Sequence, residues 1–277
     1  MLRRIVTSLR RQDWMAVAIE LVVVIAGVFI GLQVDNWNQA RADARLGRDY
    51  VLRLIRDLHA DRAAVDTEVA YYGAVLRSVR KTDELLREDR PDPRALIVNA
   101  YRATENNYTP STRATWNQIV SSGHLGLLPR SVIESGLSRY YAFDNPRDVY
   151  NLSVASVYRH TVRNIIPIAM QAAIREGCSD VLDKQGNIIG FSASCAFDGD
   201  PAALVAVAAR LRGNPGVAGE LGDQYSLVAN AIVTLRRDKD NIDNALDALG
   251  ATPAAIRKRG KEQERGQVNL SIAKKRT

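Results

Sequence analysis

The chain is poor in the residues that build metal centres and covalent scaffolds. Its 277 residues include only two cysteines and three histidines. Two cysteines exclude a disulfide-rich scaffold and a structural zinc cluster. His59, His124 and His160 stand far apart and leave little material for a histidine-based metal centre. No His-Glu-x-x-His helix, Gly-x-Ser-x-Gly elbow or P-loop occurs. Two stretches imitate calcium loops and fail at the turn and bidentate positions. With Asp183 as position one, position six is Ile188 and position twelve Ser194; with Asp238 as position one, they are Asp243 and Leu249. Gly213, Gly216, Gly219 and Gly222 follow a helical run rather than a strand, so a dinucleotide loop is not supported. No cofactor is expected, and no catalytic, cofactor-binding or metal-ligating residue. The apolar share of 46% does exclude wholesale disorder.

The formal charge of +7 has an uneven origin. Residues 1–14 hold Arg3, Arg4, Arg10 and Arg11 against Asp13, and residues 251–277 hold eight bases against Glu262 and Glu264. The stretch 15–250 is left at −2. A folded nucleic-acid-binding domain carries its basic stripe on the folded part, so no nucleic-acid partner is expected. The basic tail either touches anionic headgroups, at roughly 1 kcal/mol per base, or stays solvated and idle.

What the chain does have is one long apolar run. Met15–Leu32 contains a single charge, Glu20. As a helix it reaches roughly 27 Å, close to the thickness of a bilayer core. Trp14 and Trp37 flank it, where indole rings favour the membrane interface. A buried soluble helix and a cleaved signal peptide are the alternatives. The Ala40-Arg-Ala42-Asp-Ala44 run imitates a cleavage site, but it lies well past an apolar stretch longer than the ~7–15 residues of a signal core. An uncleaved signal-anchor is the preferred reading. Arg10 and Arg11 precede the span closely, whereas Arg41 is the first base after it. Basic residues stay on the cytoplasmic side, which puts the N-terminus inside and the remainder in the periplasm of a bacterial inner membrane. Residues 1–13 are then too few for a cytoplasmic output domain.

Cys178 and Cys195 bracket a turn sequence, Asp183-Lys-Gln-Gly-Asn187, between two short strand-like runs. A disulfide there would close a loop in an oxidising compartment; two unrelated buried thiols are the alternative. Within the span, Glu20, Gly27 and Gly31 share one narrow helical face, and Gly27 and Gly31 form a small-xxx-small pair. Either this face meets another transmembrane helix, its own copy or a different protein, or Glu20 snorkels to the headgroups and the glycines are ordinary.

Beyond the span, Asp35–Glu88 lacks proline, and Val51, Leu58, Val65, Tyr72, Val79 and Leu86 recur every seven residues. Ile55, Val69 and Leu76 fill an intermediate row that Arg62 and Asp83 interrupt. A coiled coil is one reading; an intramolecular bundle is preferred because the seam is broken and later segments need a partner. Further helices are predicted over 94–103, from Thr109-Pro110 to about Ser122 with Gly123 as its stop, over 129–141, from Asp144 to about Glu176 with a bend at Pro167, over 202–212 and over 224–249. Gly213–Gly222 is predicted to be a loop. Leu125, Leu127 and Leu128 are predicted core, with His124 as a capping residue. The fold class is therefore mainly α: an N-terminal transmembrane helix continuing into an extracytoplasmic helical bundle with one small β-hairpin. Its parts are 1–13 (basic, cytoplasmic), 14–34 (transmembrane), 35–250 (helical domain) and 251–277 (basic flexible tail).

Two blocks carry a resemblance. Ala18-Ile-Glu-Leu-Val-Val-Val-Ile-Ala-Gly-Val-Phe-Ile-Gly-Leu-Gln-Val-Asp-Asn-Trp-Asn38, and Trp116-Asn-Gln-Ile-Val-Ser-Ser-Gly-His-Leu-Gly-Leu-Leu128 followed by Arg139-Tyr-Tyr141, are similar to a family of small bacterial single-pass membrane proteins defined only as a domain of unknown function. Ala18-Ile19 stands where that family has Ile-Gly, and Asp35 where it has Asn. The resemblance implies a single N-terminal anchor and a helical outer region, and brings no catalytic residue. The expected function is non-catalytic: a periplasmic domain that binds a membrane or periplasmic protein, or its own copy, or organises an envelope complex. Ligand sensing for a multi-protein receptor and a membrane-tethered hydrolase are the alternatives.

Overall fold

The computed structural model describes residues 14–252 except 179, 185, 193, 194, 196 and 198, with side chains from Ile19 onward. The basic segment 1–13, the tail from 253 and the Trp14 side chain lie outside the described residues. The chain divides into two units, Met1–Leu52 and Arg53–Thr277.

Helix α1 is unbroken from Trp14 to Arg87, as a stretch without proline and with few glycines allows. In the first unit every large apolar side chain from Ile19 to Leu32 is more than half exposed. Among the described residues α1 alone is long and apolar enough to cross a membrane. At the far end of the apolar run Trp37 carries the Arg41 guanidinium 4.6 Å above its ring, a cation–π contact.

The second unit is helical. Around the later part of α1 are α2 (Pro93–Arg102), α3 (Ala114–Ser121), α4 (Arg130–Val132), a π-helical turn (Ile133–Leu137), α5 (Ser138–Ala142), α6 (Asn145–Val154), α7 (Val157–Ile165), α8 (Ile168–Gly177), α9 (Pro201–Gly213) and α10 (Pro215–Ala248). Strands β1 (Asp180–Leu182) and β2 (Ile188–Phe191) form one antiparallel hairpin. Leu58, Val65, Tyr72 and Val79 are buried, as the seven-residue repeat predicts. The second buried row is Leu54, Asp61, Glu68, Val75 and Thr82, one position removed from the apolar row read in the sequence. Arg62 pairs with Asp243, Asp66 with Lys239, and Arg80 donates to Tyr225. Partner numbers fall as those of α1 rise, so α1 and α10 run antiparallel in one register over about 27 Å. Val79, Leu96, Tyr158, Val162, Leu211 and Val217 belong to one continuous core.

Several local expectations differ from the structure. The segment predicted to open a helix at Thr109-Pro110 is non-helical until Ala114, because its backbone donors are taken by side chains of α1. The run from Asp144 to Glu176 is three helices. It breaks at Ser156, whose hydroxyl caps the Arg159 amide, and again at Pro167. Residues 213–222 are not a loop: Asn214 accepts from the Gly216 amide and Pro215 sits in the first turn, so α10 starts there. The run 129–141 contains the π turn, where Gly136 has φ +102° and a Cβ would meet Asn241 Oδ1 at 3.1 Å. Of the three leucines predicted to be core, Leu128 is buried while Leu125 is exposed. His124 opens a short 3₁₀ turn, and Gly123 stops α3 in the left-handed conformation with φ +70°.

Candidate functional site

Two features of the second unit join chemistry-bearing side chains from distant parts of the sequence. The first is a clamp. Residues 105–113 form no regular element, and one face of α1 takes up four of their backbone groups. Glu68 accepts from the Thr109 amide at 2.6 Å and Asp61 from the Thr112 amide at 2.8 Å. Tyr71 and Tyr72 donate to the carbonyls of Asn106 and Asn107. The second oxygen of Asp61 accepts from Tyr140 at 2.8 Å. Glu68 is 1% exposed and Asp61 3%. Burial pushes the Glu68 carboxyl up to about 7, against the Thr109 hydrogen bond, which lowers it. Asp238, held by Asn145 at 2.7 Å, is pushed up to about 6 chiefly by burial.

The second feature is a cavity of about 410 Å³ beside the hairpin. Helix α2 ends in Tyr101-Arg102, and both line it with Glu105, Asn106, Arg175 and Asp180. Tyr71 and Phe191 also face it, their rings edge-to-face at 5.6 Å. Behind this wall the arginines are organised around Tyr101. The Arg163 guanidinium lies 3.8 Å from the ring centroid, bonds the phenol oxygen at 2.9 Å and pairs with Glu105 at 2.7 Å. Arg175 donates to the same phenol at 2.8 Å, and Arg159 to the Thr104 carbonyl. Arg102 is different. Its guanidinium packs 5.1 Å from the Phe191 centroid, and its Nη2 is buried with no hydrogen-bond partner. Asn106 Nδ2 is buried in the same state. Burial lowers the pKa of Arg102 and raises that of Asp180. Unused donors next to aromatic faces provide binding chemistry for an acceptor oxygen on an organic body. Among the described residues no group of three His, Cys, Asp or Glu side chains is placed to hold a metal ion.

The structure joins Cys178 and Cys195 in a disulfide, with Cα atoms 4.2 Å apart, and Cys178 lines the cavity. Removing that link by Cys195→Ser is expected to lower unfolding free energy by about 3 kcal/mol. Denaturant unfolding with and without reductant checks this. An unchanged midpoint under reduction, or two titratable thiols in protein extracted under alkylating conditions, would contradict a structural disulfide. Glu20, Gly27 and Gly31 are exposed along α1, and nothing lies within 4 Å of a Cβ built on either glycine.

Trp116 stacks on Tyr141 at 5.0 Å, and Arg113 donates to the Tyr141 carbonyl, so the two halves of the second resemblance block pack together. Sequence reading missed Arg102, Asn106 and the arginines around Tyr101. The available signal was Arg159 and Arg163 four apart on one helical face, with Arg175 following. The chain matches no protein-family model, and no curated protein or solved structure shows significant similarity to it.

Proposed function

We propose that this protein is a single-pass inner-membrane protein whose helical domain lies on the periplasmic side and works by binding a protein partner. The observation that carries this reading is the stretch Ile19–Leu32 of α1, whose large apolar side chains are exposed on all sides of the helix. An exposed apolar surface of that size is costly in water and at home in lipid. The arginines before it and the scarcity of bases just after it support an N-terminus that stays in the cytoplasm. The face of Glu20, Gly27 and Gly31 is the part of the span suited to a second helix: the glycines permit close approach, and the carboxyl gains a partner out of lipid. A transmembrane association reporter carrying residues 14–34 tests it. Glu20→Ala and Gly27→Leu are expected to lower association with the chain's own span, or with a co-expressed partner span, several-fold. Association unchanged in both variants would contradict helix contact at this face.

A second reading, ligand sensing by the outer domain, is favoured by the cavity beside the hairpin with its two unused donors. It is compatible with anchoring, since any signal would pass to the partner through the membrane helix.

A further inference from the structure

We infer that the cavity beside the hairpin binds a small organic monocarboxylate, its two oxygens on Arg102 and Asn106 and its apolar body against Phe191 and Tyr71. The inference rests on the ligand-sensing reading and names its ligand class.

Arg102 is a half-buried guanidinium with no carboxylate in direct ion-pair contact among the described residues. Glu105 is held by Arg163 at 2.7 Å, and Asp180 acts on Arg102 through its nearby charge without an ion pair. A buried donor without a partner is costly, and a buried charge more so. Here Arg102 and Asn106 line one cavity, and each keeps one such donor, Nη2 and Nδ2, buried behind its wall. A charged fork with an amide beside it suits an acceptor that has two oxygens and carries a charge. The walls decide between anions. Glu105 and Asp180 line the same space and would repel a dianion such as phosphate, whereas a single carboxylate leaves the site near balance. Phe191, which is only part-buried, and the edge of Tyr71 offer aromatic surface that an inorganic ion would leave unused. The volume of about 410 Å³ lies within the range of small-molecule sites. The disulfide and β2, which carries Phe191, frame one wall, so ligand and hairpin are coupled.

Benzoate and its neutral isostere benzamide are the probes, with inorganic phosphate as a third, all at matched ionic strength on the full chain in detergent micelles. Sodium benzoate is expected to raise the unfolding midpoint saturably, and benzamide and phosphate are not. Asn106→Asp preserves shape while replacing the donor with an acceptor, and Arg102→Gln removes the charge. Each is expected to weaken benzoate binding at least about tenfold. A saturable response to benzamide equal to that of benzoate would overturn the carboxylate assignment and leave ligand sensing standing, as would a response to phosphate alone. No saturable response to benzoate would overturn the monocarboxylate inference alone, and a benzoate response unchanged in both variants would overturn the site.

Discussion

Asp61→Ala is expected to destabilise the helical domain by about 3–5 kcal/mol, because it strands a buried donor and a part-buried one at once. The carboxylate accepts from the part-buried Thr112 amide and from the buried Tyr140 hydroxyl. Asp61 also stands in the row with Leu54, Glu68, Val75 and Thr82, so a cavity would open on the buried face of α1. The loss should appear as a lower denaturation midpoint and as faster amide exchange confined first to residues 105–113, whose backbone groups depend on this face. Asp61→Asn retains one acceptor and is expected to cost less. A midpoint within experimental error of the parent would show that the segment is not held by α1.

Stability is expected to fall as pH rises from about 4.5 to 7, the reverse of ordinary acid denaturation. The Glu68 carboxyl has its folded pKa raised from 4.5 to about 7, and Asp238 from 3.8 to about 6, both chiefly by burial. A carboxyl raised in the folded state holds its proton there after the unfolded chain has released it. Its contribution is therefore complete below the unfolded value and is lost as pH climbs through the folded one. At 1.36 kcal/mol per unit, Glu68 alone is worth on the order of 3 kcal/mol across that window. Glu68→Gln keeps an oxygen for the Thr109 amide and removes the titration. It is expected to flatten the stability profile between pH 5 and 7 and to exceed the parent in stability at pH 8. Urea unfolding of both proteins across this range checks the sign; equal slopes would contradict a buried, protonating Glu68.

These two carboxylates also show why part of the architecture was hidden in the sequence. Leu58, Val65, Tyr72 and Val79 are apolar at seven-residue spacing, and that row was legible. Its neighbour Leu54, Asp61, Glu68, Val75, Thr82 is equally buried, yet two of its members are charged, so hydropathy alone moves the stripe to Ile55, Val69 and Leu76. The partners that make such burial tolerable are backbone amides some 40 to 50 residues away, which no local pattern announces. The same reason hid the non-helical course of 105–113. Proline and glycine misled where tertiary contacts overrode them: Asn214-Pro215 starts a helix that runs through Gly216, Gly219 and Gly222. Some local signals were read correctly. Asp200-Pro201 caps α9 through the Ala203 amide, Gly123 stops α3, and Asp183 and Asn187 close the hairpin turn. The cavity was invisible for a different cause. Arg102, Asn106, Arg175 and Phe191 come together only through α2, α8 and β2, and none belongs to a motif.

If Ile19–Leu32 is a permanent tether with the helical domain outside the cytoplasm, paired reporters fused after residue 252 show it most directly: alkaline phosphatase in one strain and a fluorescent protein that matures only in the cytosol in the other, each followed by an alkaline wash of the membranes. Phosphatase activity, a dark fluorescent fusion and retention of both products in the washed membrane are expected. Cytosolic fluorescence without phosphatase activity, or release of the intact chain into the soluble fraction, would contradict it.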